Sequence, residues 1–385
     1  MLNKAQAIHS KMITWRRDFH QYPELGFNEY RTAEKVANIL REFGCRVQTG
    51  VGVTGIVAEL GQGKPIIAIR ADMDALPITE ANDIPYKSKN DGVMHACGHD
   101  AHTAMLLGAA ELLSREELCG TVRFIFQPSE EMEDEEGISG APRMIEAGAM
   151  KDVDYTIALH VYSALRTGRV EISLGGAMGG VDTFYGKVLG QGGHGATPHK
   201  VIDPIFISAF VIQALHSIVS RRLNPFSPAV ISIGSIKGGE VDNIIPKFVE
   251  MVGTIRYLEP DVQAKLHEEI ERAFSVAKAM GGDYDLKIQT GYPPMINDQS
   301  VAKLLRQVSA DLLGEDYIDE PEPDMGAEDF VFFMQEAPGA MFYLGCRIEN
   351  DERRHHDPSF DIDEDCLPIG AAIFAESALR LLRSD

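Results

Sequence analysis

Four short apolar runs rich in β-branched residues, at 55–60, 65–69, 121–126 and 155–159, are interleaved with stretches of helical spacing. That alternation leaves few architectures open. Parallel strands need crossover connections, and crossovers lay helices on both faces, so the order predicts a largely parallel, doubly covered sheet. Before the first run, Ile8, Met12, Trp15 and Phe19 fall at helical spacing between Ala5 and Gly26, and 28–43 reads as a second amphipathic helix ended by Gly44. A third helix is expected at 103–113. Trp15 is read as a core anchor.

The pattern changes at the glycine-rich stretch 175–180, which has the composition of a hinge. Beyond it the expected order is strand 184–189, helix 203–219, strands 229–236 and 248–257, helix 261–280 and strand 284–289, the βαββαβ order of a ferredoxin-like unit. Helix 300–313, the apolar run 339–344 and helix 367–382 then resume the first pattern. The expected layout is therefore a first part at 1–180, an inserted domain at 181–290 and a second part of the first domain at 291–385.

With 385 residues the chain can bury a large core without covalent staples. Five cysteines, an odd number at no regular spacing, do not form a disulfide framework and fit a reducing compartment. A net charge of -22 argues against nucleic acid, whose binding is driven by clustered Lys and Arg, and equally against an anionic membrane surface. The first twenty residues lack the apolar core of a secretory signal, and no stretch approaches ~18 consecutive apolar residues. A cytoplasmic protein is expected.

Ligands collect at the carboxyl ends of strands in an open α/β sheet. Here those ends carry Asp72 and Asp74 after the second run, Glu130 and Glu131 after the third, and His160 after the fourth. A loop placing His95, Cys97, His99 and His102 within eight residues precedes the third helix. Taken singly, Asp72 and Asp74 read as turn or cap residues, and the acidic stretch 130–136 reads in its distal part as a solvated loop. Together the segments gather Asp, Cys, His and Glu on one rim, the donor set of zinc and manganese. Adjacent carboxylates at such a site divide the work, one held ionised by the cation and the other free to shuttle a proton from an acidified water. Amide hydrolysis is the natural chemistry.

These residues, with the segments 16–26, 70–77, 94–103, 127–131, 192–194, 243–246, 325–330 and 356–361, resemble the amidohydrolase branch of the M20 metallopeptidase family over essentially the whole chain. The resemblance implies a metallo-aminopeptidase-like α/β fold, a mixed sheet covered by helices with a ferredoxin-like lid and dimerisation domain inserted. It implies two divalent metal ions per subunit, zinc or manganese with cobalt or nickel as alternatives, held by Cys97, His99, Glu131, His160 and His356, with Cys97 as a bridge. Glu130 would be the general base and Asp74 the residue orienting a metal-binding histidine. His194 would stabilise the oxyanion in a partner subunit, and Asn243 and Arg256 would hold the substrate carboxylate. His95 and His102 would shape the metal loop. The implied substrate is a small N-acyl amino acid, N-acetyl or aroyl, and the implied partner a second copy of the chain. Departures from the family pattern are Ser129 where Ala is usual, the absence of a proline after His160, Gly195 after His194, and Asp324 before Met325. His355 beside His356 offers a second register for the last ligand, with the spacing to Pro358 favouring His356.

Other readings of the same residues are a carboxypeptidase or aminoacylase acting on short peptides, an enzyme with Cys97 as nucleophile paired with His99, and a non-catalytic metal-binding protein. Chelation separates the second from the others, because a thiol nucleophile needs no metal.

Overall fold

The apolar runs pair with one another in a sheet of both strand senses. The computed structural model describes residues 1–321 and 324–383. Its first long elements are α1 (His9–Gln21), α2 (Tyr30–Glu42), β1 (Arg46–Val51), β2 (Gly55–Gly61), β3 (Ile66–Asp72), α3 (His99–Leu113), β4 (Thr121–Gln127) and β5 (Tyr155–Arg166). Among the described residues the large sheet has eight strands, ordered β1-β2-β4-β3-β5 and then Gly339–Arg347, Val170–Glu171 and Ile318–Asp319. The strands that lead to the Asp, Glu and His positions run parallel: β3 pairs with β4 and β5, and β5 pairs with Gly339–Arg347. β1, β2 and β4 pair antiparallel, so the sheet is mixed.

Helix α3 is buried along its whole length, as its near-continuous apolar composition requires once sheet and helices cover it. It begins at His99, four residues earlier than the apolar spacing indicates, because left-handed Gly98 (φ 98°) sets its start. A Cβ at Gly98 would lie 2.3 Å from Val161 Cγ2, so this tight approach also needs glycine. Strand β5 continues through His160 to Arg166, because Gly339–Arg347 supplies backbone partners along that length. Arg70 pairs with Ala158, which puts His160 level with Asp72 at the end of β3. Trp15 is buried and packs edge-on against Phe43.

The chain divides into two compact units. The first comprises Met1–Ala177 with most of the chain after Ile296, and the second is Met178–Met295 joined by residues 324–328. The second unit holds a four-stranded antiparallel sheet ordered Ala229–Lys237, Phe248–Tyr257, Gly180–Leu189, Asp283–Thr290. Its helices are Pro204–Arg221 and Pro260–Ala279, giving the βαββαβ order. Asp203 caps the first of these, accepting from the amides of Ile205 and Phe206 ahead of which Pro204 occupies the first helical position. Phe184, Phe274, Leu215 and Leu266 are fully buried in this unit's own core.

Candidate metal centre

The site is built from β3 outward. Arg70 is fully buried and donates to Asp72 Oδ2 (2.7 Å) and Gln127 Oε1 (2.7 Å), and pairs with Asp329 (3.1 Å). Asp72 Oδ1 accepts from His102 Nδ1 at 2.6 Å, and His102 Nε2 accepts the Val161 amide at 2.9 Å. Both His102 nitrogens are thus engaged, and burial lowers its pKa to about 4, so the ring is neutral and braces the main chain beside His160. Burial opposes ionisation of Asp72, yet His99, His102 and Arg70 hold it well below the usual carboxylate range.

Asp74 ties two further segments together. His99 Nδ1 lies 3.0 Å from the Asp74 carbonyl and 3.1 Å from its Oδ1, while the Glu131 amide donates to Oδ2 at 3.0 Å. With Nδ1 so occupied, His99 Nε2 is the atom left to bind. It is buried and has no hydrogen-bond partner, and neither has Glu131 Oε1, although His356 Nε2 stands 2.9 Å from that oxygen. His160 Nδ1 donates to the Val161 carbonyl at 2.7 Å, and its Nε2 lies 3.4 Å from Cys97 Sγ.

Donor atoms of Cys97, His99 and His160 lie within 4.8 Å of one another, and so do those of Cys97, Glu131 and His356, and those of His99, Glu130 and Glu131. Asp72, His99 and His102 meet the same distance test, but the two His102 hydrogen bonds use up that ring. Orphaned buried donors in overlapping sets are what a divalent cation would satisfy. The electrostatics favour positive charge in the same place. Burial works against a charged His99, but Asp72 and then Asp74 lift its pKa to about 10. Burial, and after it Glu131, Glu130 and Asp72, push the Cys97 thiol well above its usual value. An activated nucleophilic cysteine needs the opposite shift. The residues fit a metal and do not fit a thiol nucleophile.

His355 stands closer to the cluster than its sequence reading as the lesser alternative indicates. Its Nδ1 lies 3.9 Å from Cys97 Sγ and its Nε2 accepts the Ser163 amide at 3.2 Å. Burial drops its pKa to about 2, so it is neutral. His356 takes a left-handed backbone (φ 60°), and its amide donates to the Ala96 carbonyl at 2.8 Å. The ring of His95 is buried without a hydrogen-bond partner. His194, Asn243 and Arg256 lie in the second unit. There the two-residue strand Gly193–His194 pairs with Ile244–Ile245, next to Asn243, while Arg256 is half-buried and donates to the Met325 carbonyl.

Sequence reasoning missed a buried charge cluster around Arg16 and His20, and a buried acid, Glu29. His20 is sandwiched between Asp100 (2.8 Å) and Glu80 (3.3 Å), and Arg16 pairs with the same Asp100 and with Asp361. A histidine four residues after an arginine, on one face of a helix, was the available signal. Glu29 is fully buried, accepting from the Thr54 hydroxyl and from the Ser129 amide (2.8 Å). Burial first, and then Asp74, raise its pKa to about 7. Because this value lies above the unfolded one near 4.5, its stabilising contribution is complete below about pH 4.5 and is lost as pH rises through 7. Glu29→Gln, which never ionises, is expected to melt above the wild type at pH 8 and to lose that advantage by pH 5. Parallel calorimetric scans at the two pH values test this, and an equal difference at both would refute it.

A family model described as peptidase family M20/M25/M40 matches residues 68–380. The chain belongs to this family. Thermostable carboxypeptidase 1 of Saccharolobus solfataricus is 42% identical over 98% of this chain and 97% of its own length. N-acetyl-L-cysteine deacetylase of Bacillus subtilis is 37% identical over 98% of this chain and 90% of its own. The crystal structure of the Bacillus subtilis YXEP protein, described as a dinuclear metal-binding peptidase from the M20 family, is 34% identical, covers 99% of this chain and 100% of that one, and matches with a TM-score of 0.86. This M20 member is a metal-dependent hydrolase of amide bonds on a mixed α/β fold.

Proposed function

We propose that this M20 hydrolase cleaves the amide bond of N-acyl amino acids, releasing a carboxylic acid and a free amino acid, with two divalent ions held by Cys97, His99, Glu131, His160 and His356. The observation that carries the reading is the sharing of Cys97 by two donor sets, one with His99 and His160 and the other with Glu131 and His356. Cys97 would then serve as a ligand common to both sets. Ions bound there would supply an acidified water, its pKa drawn toward ~7, and a Lewis acid for the acyl carbonyl.

The chain's own groups do the rest. Glu130 is buried next to Glu131, takes the proton of the attacking water on its carboxylate and returns it to the departing amine nitrogen. Asp74 keeps His99 in the tautomer that leaves Nε2 as the donor. Arg256 and Asn243 are assigned to the substrate carboxylate, and His194 to the oxyanion, a role that needs a second subunit.

A homodimer through the second unit is supported by its open apolar surface. Ile205, Phe206, Phe210, Val241, Ile244 and Phe248 are exposed there. Helix Pro204–Arg221 is long and apolar enough to cross a membrane by length and composition, but Ile207, Val211, Leu215 and Ile218 on its inner side pack into the unit's core. A surface helix that is apolar outside as well calls for a partner. The five free cysteines suit a reducing cytoplasm.

Similarity to the Saccharolobus carboxypeptidase favours a second reading, a carboxypeptidase or aminoacylase on short peptides using the same centre. One experiment separates them. Free-amine release is followed for N-acetyl and N-benzoyl amino acids and for dipeptides, with Mn²⁺- or Zn²⁺-loaded protein and a chelated control. Chelation should abolish release, and acyl amino acids should turn over faster than peptides. Faster peptide cleavage would establish the second reading, and activity surviving chelation would remove both.

A further inference from the structure

Glu29 occupies the position just before helix α2, yet it does not cap that helix. Glu24 does so, its two oxygens accepting from the amides of Arg31 (3.0 Å) and Thr32 (2.8 Å). The Glu29 carboxylate is turned into the interior, where its partners among the described residues are neutral donors, the Thr54 hydroxyl and the Ser129 amide. Burying an acid without a cation is costly, and the structure shows what the burial secures.

Ser129 is the middle of the turn by which β4 reaches Glu130 and Glu131, and it has a left-handed backbone (φ 47°) that serine adopts only under constraint. The constraint is visible on every side. The Ser129 amide is held by Glu29, its hydroxyl donates to the Met132 carbonyl (2.8 Å), and its carbonyl accepts the Gly140 amide (2.8 Å). Gly26 leaves the room this packing needs, since a Cβ there would stand 2.2 Å from Ser129 Oγ. On the other side of Glu130, the Glu131 amide is held by Asp74. Three successive peptides are therefore anchored, Pro128–Ser129 by Glu29, Ser129–Glu130 by the Gly140 amide and Glu130–Glu131 by Asp74. Fixing the peptide before and the peptide after a residue fixes its φ and ψ, so Glu29 with Gly140 holds Ser129 in its left-handed conformation, and Gly140 with Asp74 sets the direction in which the Glu130 side chain leaves.

We propose that Glu29 is a positioning residue: by holding the Ser129 amide it keeps the left-handed turn that leads the chain into Glu130 and so aims that carboxylate for proton transfer. The proposal rests on the reading of Glu130 as general base, and it predicts a division of labour in which Asp74 places a metal ligand and Glu29 places the base.

Two substitutions test it in the metal-loaded full chain. Glu29→Met keeps the size and cannot accept a hydrogen bond. Glu29→Gln can accept from Ser129 through its oxygen and donate to Thr54 through its nitrogen. In Glu29→Met, kcat should fall by about 10²-fold, the scale of a reacting group displaced by about 1 Å, with KM within about threefold and metal content unchanged. Hydrogen exchange at the 129–131 amides should accelerate at least about tenfold. Glu29→Gln should restore both rates to within about fivefold of the wild type. Glu29→Met with wild-type kcat and exchange would overturn the proposal, as would a Gln variant no better than Met. If the wild type hydrolyses none of the acyl amino acids or peptides, the general-base reading fails, and the exchange measurement still decides whether Glu29 holds the turn. If Glu29→Met does not fold, the wild-type Ser129 amide decides: exchange as fast as that at the exposed residues Glu133 and Glu135 overturns the proposal.

Discussion

Glu130→Ala is expected to lower kcat by roughly 10²-fold or more while the protein keeps its full complement of metal, since that is the usual contribution of a positioned general base. Retention of metal follows from the donor sets. The two groups that share Cys97 do not include Glu130, so their donor atoms survive the substitution. The turn also survives, because the Ser129 and Glu131 amides on either side are held by Glu29 and Asp74 and not by the Glu130 side chain. Initial rates on the best substrate, read beside metal content by mass spectrometry, separate loss of chemistry from loss of the centre. Turnover within a few fold of the wild type would take the proton-transfer role away from Glu130.

Cys97→Ala should act on the metal itself. Its sulfur belongs to both donor sets, so its removal weakens two sites at once, beyond the roughly 10–100-fold in affinity that an outer hydrogen-bonding group costs. Equilibrium dialysis should show fewer than two ions per subunit at metal concentrations that saturate the wild type, with turnover falling in parallel and recovering partly in excess metal. The buried thiol is also a direct test of the nucleophile alternative. Were Cys97 the attacking group, excess metal would restore nothing and alkylation would inactivate the chelated wild type. Its environment opposes that, for burial and the neighbouring Glu131, Glu130 and Asp72 all disfavour a free thiolate.

Much of the site was legible because its residue types are rare in company. Cys, His and paired carboxylates at several strand ends stand out from ordinary turn chemistry, and the strands themselves are apolar enough to be found. What stayed hidden depended on neighbours far along the chain. The end of β5 could not be read from residues 155–159, because the strand is prolonged by pairing with Gly339–Arg347. Edge strand β1 left little trace, since Val51 alone among its six residues is buried. His99 was placed ahead of its helix because the helix start is fixed by the close approach of Gly98 to Val161. The partners of Asp72 and Asp74 were the hardest part. Two acids two residues apart look interchangeable on the page, and it is packing that sends Asp72 to His102 and Arg70 and Asp74 to His99 and Glu131. Glu29 gave no signal at all, as an acid before a helix reads as a cap.

The division of the chain also imposes an order in time. The second unit is nearly continuous in sequence, Met178–Met295, and has its own core, so it can collapse while still attached to the ribosome. The first unit cannot. Its strand β5 waits for Gly339–Arg347 on one flank, and the donor set completed by His356 waits for a segment later still. A nascent chain stopped short of these would carry a finished domain on an open sheet edge, the kind of surface that recruits other strands. A chain stopped before His356 would lack the Cys97, Glu131 and His356 donor set, and one stopped before Gly339 would leave β5 open on one flank, so such truncations are expected to aggregate.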